Sequence, residues 1–121
     1  MAGGPLDGHA LLLAAAKASI PGERLPDLVD RLQIRLAPRQ QEYARRYECA
    51  HEDATHAVYF VERGHWETLG SEFDLERREG HALRRAHEEH LKRLGTEFSR
   101  RAEFEAALEL REVVAIGKAT Q

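Results

Sequence analysis

The sequence predicts an all-α fold of five or six helices in one small domain, and three observations lead to this prediction. Apolar residues recur at three- and four-residue spacing through most of the chain, which is the period of an amphipathic helix. Sixteen Glu and fifteen Arg outnumber five Asp and three Lys, and Glu and Arg both favour helices. Helix-breaking residues such as Pro38 and Gly64 separate the periodic segments.

Composition excludes several classes of protein. A chain of 121 residues has room for one domain with one modest core. The net charge of −3 excludes a general polycation, so any nucleic-acid site must be a local basic patch. Cys49 is the single cysteine, which excludes an intrachain disulfide and a cysteine-based zinc site. The short apolar run near the N-terminus lacks the preceding positive charge of a signal peptide. No run approaches the roughly 18 apolar residues of a membrane span, so we expect a cytoplasmic protein with no membrane partner.

The chain divides into three predicted parts. Residues 1–8 are rich in Gly and Pro and are expected to be flexible. Residues 9–116 form the single helical domain, and 117–121 form a short tail. The first helix is predicted at His9–Ser19, and Pro26 suits the first turn of a second helix, which stops or kinks at Pro38. The apolar face of that second helix is Leu25, Leu28, Val29, Leu32 and Leu36.

A long helix is predicted from Tyr43 to Val61, and we expect a homodimer through it. Its inner residues follow alternating four- and three-residue steps, which is the spacing of a helix–helix seam. The run Ala57–Val61 is also rich in β-forming residues, so a hairpin turning at Arg63-Gly64 remains an alternative. The predicted seam consists of Tyr43, Tyr47, Ala50, Ala54, Ala57 and Val61.

The C-terminal part is predicted as a last helix from Arg100 to about Val114. Ser99 is a suitable N-cap for that helix. The apolar run Val113–Ile116 leaves a short terminal strand open as an alternative.

The clearest stretch of the chain is residues 66–95, which predicts a short helix, a tight turn and a longer helix. Trp66, Leu69 and Phe73 share one face of the short helix. Asp74 tolerates the left-handed turn conformation. Leu75 restarts the apolar pattern, which continues through Leu83, Ala86, His87, His90, Leu91 and Leu94, and Gly95 is expected to end the helix.

Residues 66–85 resemble the helix-turn-helix of DNA-binding regulators. Leu69-Gly70 supplies that family's apolar-small pair, and Phe73 and Leu75 supply the apolar residues on either side of the turn. The chain departs from the family at Asp74, where Gly is most common, and at Gly80, where Val or Ile is usual. A second stretch, Leu36–Tyr47 followed by Ala54–Ala57, is similar to the start of phage small terminase subunits, which also bind DNA.

The helix-turn-helix resemblance implies a non-enzymatic regulatory protein of transcription that binds double-stranded DNA. The outward residues at the start of the second helix would then meet the major groove. Glu76 and Glu79 lie near that surface and oppose DNA binding. The predicted nucleic-acid-binding residues are Arg77, Arg78, His81, Arg84 and Arg85.

Two other functions remain open. One is a helical protein–protein interaction module whose Arg and Glu faces are solvated. The other is a His/carboxylate metal-binding helical bundle, because Glu48 with His51 and Glu62 with His65 have the Glu-x-x-His spacing of di-iron proteins. On one helix the two pairs would lie about 21 Å apart at 1.5 Å per residue, too far to share an ion. We therefore expect no bound metal or cofactor. Nucleophile motifs and phosphate loops are absent from the sequence, which argues against an enzyme.

Overall fold

The computed structural model describes residues 20–21 and 24–118 and shows a mixed α/β fold, so the all-α prediction is wrong. Helices pack around a three-stranded antiparallel sheet with strand order β1-β2-β3. The predictions for 1–8 and for His9–Ser19 lie outside the described residues. In chain order the elements are α1 (Arg24–Leu36), a 3-10 turn (Ala37–Arg39), α2 (Gln40–Arg46), β1 (Glu48–Glu52), β2 (His56–Val61), α3 (His65–Glu72), α4 (Arg77–Glu97), α5 (Arg101–Leu108) and β3 (Glu112–Gly117).

The central strand β2 explains why the helix prediction failed at residues 43–61. All six residues of β2 are buried, because the strand lies between β1 and β3 and is covered on both faces. A strand buried on both faces reads as a continuous apolar run and lacks the alternation that identifies a strand in the sequence. The β-forming residues of Ala57–Val61 therefore indicated the structure correctly. The spacing of small residues, which had indicated a helix, did not.

The predicted dimer helix is not formed. Its residues are divided among α2, β1 and β2, and Ala57 and Val61 lie in the core of the protomer. The hairpin turns at residues 53–55 between β1 and β2, where Asp53 N–H donates to the His56 carbonyl. The alternative hairpin at Arg63-Gly64 is wrong, because His65–Glu72 is a helix. The helix face that was predicted to form the dimer is therefore not formed. Dimerisation itself stays a prediction.

The C-terminal alternative is confirmed as a strand. α5 ends at Leu108, and Glu112–Gly117 forms β3 along β2, with Val114 opposite Tyr59. Ser99 has a positive φ of 59° and lies before the N-cap residue Arg100, so the predicted N-cap was wrong.

The sequence predicts that Gly95 ends α4, but the helix continues past it. It lies inside the helix, where α5 crosses it, and a Cβ there would meet the Arg101 Cα at 2.9 Å. The glycine is therefore required by the close approach of two helices.

Local patterns correctly predicted α1 and the corner. All five apolar residues predicted for the α1 face are buried. Trp66, Leu69 and Leu83 are buried too, while Phe73 and Leu75 are half-buried. Asp74 has a φ of 57°, in the left-handed region. None of the helices in the described part of the chain combines the length and apolar character that a membrane crossing requires.

Side chains from three helices pair the outer edge of β3. The Gln33 amide of α1 donates to the Ala115 carbonyl and accepts from Gly117 N–H, both at 2.8 Å. Trp66 Nε1 of α3 donates to the Val113 carbonyl, and His87 Nδ1 of α4 accepts from Ala115 N–H, again at 2.8 Å. Four backbone groups of this edge are thus paired by side chains, and the same bonds hold the helices on the sheet.

His87 makes the fold sensitive to acid. Burial, with a smaller contribution from His90, lowers the pKa of His87 from 6.5 to about 3. The unfolded chain therefore binds a proton on this residue more readily than the folded one. Its stabilising contribution is complete above pH 6.5 and is lost as the pH falls from 6.5 towards 3.

We expect the free energy of unfolding to fall by about 1.4 kcal/mol per pH unit through His87 alone in that window. The variant His87→Phe should lose this part of the slope in urea denaturation series. It should also be less stable at pH 7, by roughly 1–3 kcal/mol, because Ala115 N–H loses its acceptor. An unchanged slope in the variant would contradict the assignment.

Candidate metal centre

The hairpin turn between β1 and β2 places the Asp53 carboxylate between two histidines. Asp53 Oδ1 accepts from Thr55 N–H at 2.8 Å, from the Thr55 hydroxyl at 2.8 Å and from His56 N–H at 3.0 Å. Such side-chain bonds to the backbone are why Asp is favoured in tight turns. The turn therefore fixes the carboxylate relative to His51, near the end of β1, and His56, at the start of β2.

His51, Asp53 and His56 form a compact group of possible metal ligands, with ligand atoms that all lie within 4.8 Å of one another. His51 Nε2 is 3.0 Å from Asp53 Oδ2, and His56 Nδ1 is 3.2 Å from Asp53 Oδ1. Zinc bonds of about 2.0 Å in a tetrahedral site place neighbouring ligand atoms about 3.3 Å apart. The two contacts are therefore close to the spacing that one small ion imposes.

His90 of α4 contacts the buried side of the cluster through His56. Its Nε2 lies 2.9 Å from His56 Nε2, and both side chains are buried. One nitrogen of His56 thus faces Asp53 while the other faces His90. Metal-ligating histidines commonly use their second nitrogen in this way, and the hydrogen bond fixes the ring orientation.

The charges of the cluster match the requirements of a cation. Burial lowers the pKa of His56, although Asp53 opposes this shift. Burial alone would raise the pKa of Asp53, but hydrogen bonds from His51, Thr55 and His56 outweigh it and hold that pKa well below its usual range. The result is a charged carboxylate beside a neutral His56 imidazole, and these are the forms that bind metal ions.

The two Glu-x-x-His pairs predicted on one helix do not occur on a helix. Glu48 lies in β1 and pairs with Arg111 at 2.7 Å. Glu62 does contact His65 Nδ1 at 3.3 Å, but His65 Nε2 meets the Tyr43 hydroxyl at 2.6 Å. Among the described residues, neither pair belongs to a group of three or more metal-ligating side chains, in contrast to His51, Asp53 and His56.

His51 was predicted from the sequence as a possible metal ligand, but Asp53 and His56 were not. The useful signal was His-x-Asp-x-x-His at residues 51–56, with a turn-forming Asp between the histidines. That spacing brings the side chains together only on a hairpin, and this segment was predicted to be helical.

The five predicted DNA-binding residues fall into two groups. Arg77, Arg78 and His81 are exposed, whereas Arg84 and Arg85 are half-buried. Arg84 lies 3.7 Å from Glu88 and 3.9 Å from Glu112. Arg77, His81 and Arg84 line a groove between α3 and α4, together with the acidic residues Glu67, Glu76 and Glu112.

A family model described as "Domain of unknown function (DUF8048)" matches residues 4–118. Comparisons with curated proteins and with solved structures found no match. Since the family model spans nearly the whole chain, the protein belongs to that family.

Proposed function

We propose that this member of the DUF8048 family binds one divalent transition-metal ion through His51, Asp53 and His56. The observation that carries the proposal is the meeting of three ligand atoms within 4.8 Å at the β1–β2 turn. Two imidazoles and one carboxylate suit zinc, iron, cobalt or nickel better than magnesium or calcium, which prefer oxygen ligands alone.

The number of protein ligands indicates whether a bound ion would be structural or catalytic. Structural zinc sites are usually closed by four protein ligands, whereas catalytic sites keep a position for water or substrate. Three ligands at this turn correspond to the second type, and Asp53 is exposed while His51 is partly buried. An ion held there would act as a Lewis acid on whatever molecule fills its open position.

Metal loading provides the test. Tag-free protein is expected to bind stoichiometric zinc by calorimetry, and cobalt binding should produce visible d–d absorption. The variants His51→Gln and Asp53→Asn should each lower the affinity at least about tenfold, in line with the loss of a directly coordinating group. Asn at residue 53 retains an oxygen that can close the turn, so this variant separates the lost charge from a lost hairpin.

The matched control for this experiment is His81→Gln, which removes an exposed histidine on α4. It should bind zinc like the parent. The proposal is wrong if the parent binds no zinc, or if the control loses as much affinity as the two ligand variants. In that case the Asp53 contacts serve only to form the turn.

His90 is expected to act as a positioning residue for His56. The variant His90→Phe should lower zinc affinity by about 10–100-fold without removing a ligand, while His90→Gln, which retains a hydrogen-bonding group, should recover most of that loss. A purely structural role would lower the thermal stability of both variants and leave the cobalt spectrum of the loaded protein unchanged.

DNA binding is a second candidate, supported by one specific observation. Arg77, Arg78 and His81 are exposed on the first turns of α4, which follows α3 and the Asp74 turn in the order that the helix-turn-helix resemblance requires. Arg84 is a weaker candidate, because the carboxylates of Glu88 and Glu112 lie beside it. Base reading would therefore depend on the first two turns of α4.

A pool of random duplexes at low salt tests this candidate. Affinity should fall with salt concentration, with a log–log slope of about −0.9 per phosphate contact. The variant Arg78→Ala should cost about 1–3 kcal/mol and relax the preference at one base pair if it reads a guanine. If no sequence is enriched and the variant behaves like the parent, α4 does not bind DNA.

A further inference from the structure

A groove of about 540 Å³ lies between α3 and α4, away from the metal-ligand cluster. Trp66 and Gly70 line it from α3, Gly80 and Arg84 line it from α4, and Leu75 lies at the turn that joins the two helices. Pockets that hold small organic ligands have volumes of about 300–1,000 Å³. The groove is therefore large enough for a ligand of nucleotide size.

The two helical glycines leave this groove open. A Cβ added at Gly70 or Gly80 would meet no atom within 4 Å. Glycine is less favourable than alanine inside a helix, and no close contact in the described part of the chain requires it at these positions. Gly95 is different, since its Cβ would clash with Arg101. The open space at Gly70 and Gly80 is accordingly the distinctive feature of the groove.

Three side chains of the groove have N–H donors without a hydrogen-bond partner among the described residues. Arg84 Nε is buried and has no hydrogen-bond partner among the described residues, since its nearest carboxylate oxygen, from Glu88, lies 3.7 Å away. No hydrogen bond or ion pair between described residues uses the side chain of Arg77 or His81 either, and both residues are exposed. Arg77, His81 and the Nε of Arg84 therefore offer N–H donors, although Nη1 of Arg84 also lies 3.9 Å from Glu112.

Two of the three acidic side chains of the groove are already engaged. Glu112 accepts from the N–H groups of Gly64 and Trp66 at 3.0 and 2.9 Å. Glu76 caps the start of α4 by accepting from Glu79 N–H. Their hydrogen-bonding capacity is thus directed at the backbone, while that of Arg77, His81 and the Nε of Arg84 is not.

We propose that the groove binds a small organic phosphate monoester. The dianionic phosphate would lie among Arg77, His81 and Arg84, because a guanidinium can bind phosphate oxygens in pairs. The uncharged part of the ligand would pack against the open surface formed by Gly70 and Gly80, which is the floor of the groove. Two guanidinium groups, with the His81 imidazole as a further donor, suit a doubly charged phosphate better than a single carboxylate.

Titration of ¹⁵N-labelled protein with adenosine 5′-monophosphate tests the proposal, with adenosine and inorganic phosphate as separate probes. Saturable amide shifts are expected at Gly70, Gly80 and His81 with the monophosphate. Inorganic phosphate should bind the same residues at least tenfold more weakly, and adenosine more weakly still. The absence of saturable shifts in the groove with the monophosphate, or equal affinity for it and for inorganic phosphate, overturns the proposal.

Matched arginine variants locate the phosphate. Arg84→Gln and His81→Gln should each weaken binding of the monophosphate at least tenfold, whereas Arg78→Gln should not, because Arg78 lies on the same helix outside the groove. His81 makes no described contact, so its variant tests the site even if Arg84→Gln lowers stability. An equal effect of Arg78→Gln would mean general attraction to a basic helix end and would overturn the groove assignment.

The glycine floor is tested by Gly80→Ala. This variant should melt at a higher temperature than the parent, because alanine favours the helix and meets no neighbour. It should nevertheless bind the monophosphate at least tenfold more weakly, since its methyl group occupies the floor. Unchanged affinity in a stabilised variant would overturn the role assigned to the open floor and the ligand placement with it.

Discussion

Strand β3 has an edge that no other strand in the described part of the chain covers, and its backbone groups must find partners elsewhere. Gln33, Trp66 and His87 supply those partners from α1, α3 and α4. Glu112, the first residue of β3, also accepts two N–H groups at the start of α3. Since an unpaired buried backbone group costs about 1–3 kcal/mol, these bonds determine where the three helices lie on the sheet.

This arrangement positions both proposed sites along α4. The helix is held to β3 by His87, which lies between Arg84 in the groove and His90 below the hairpin cluster. Arg84 and His90 are six positions apart, which corresponds to about 9 Å along a helix. The same rigid element therefore supports a cationic groove near its start and a buried imidazole under the histidine–aspartate cluster.

A second polar network holds α2 against α3. Burial, together with the nearby Tyr47, raises the pKa of Tyr43 well above its ordinary value, so its phenol remains protonated and can donate to His65 Nε2. His65 Nδ1–H then donates to Glu62. The order resembles a catalytic triad, but the Tyr43 ring is buried. In this fold the network fastens the end of β2 and the start of α3 to α2.

The sequence by itself determined the elements that depend on local rules. The five-residue apolar face of α1, the burial of Trp66 and Leu83 and the left-handed turn at Asp74 all follow from spacing and residue type. Exposure of Arg77 and Arg78 could also be predicted, because they lie opposite an apolar stripe. These features need only the helical period and the conformational preference of single residues.

Only the tertiary structure decided the sheet and the candidate sites. β2 and β3 are buried on both faces by partners distant in the chain, so neither displays the alternation of a half-exposed strand. His51, Asp53 and His56 meet only because a hairpin replaces a helix there, and His90 joins them across 34 residues. Likewise, a glycine in the sequence cannot reveal whether its missing Cβ avoids a clash, as at Gly95, or leaves space, as at Gly80. That distinction depends on which atoms the fold brings nearby.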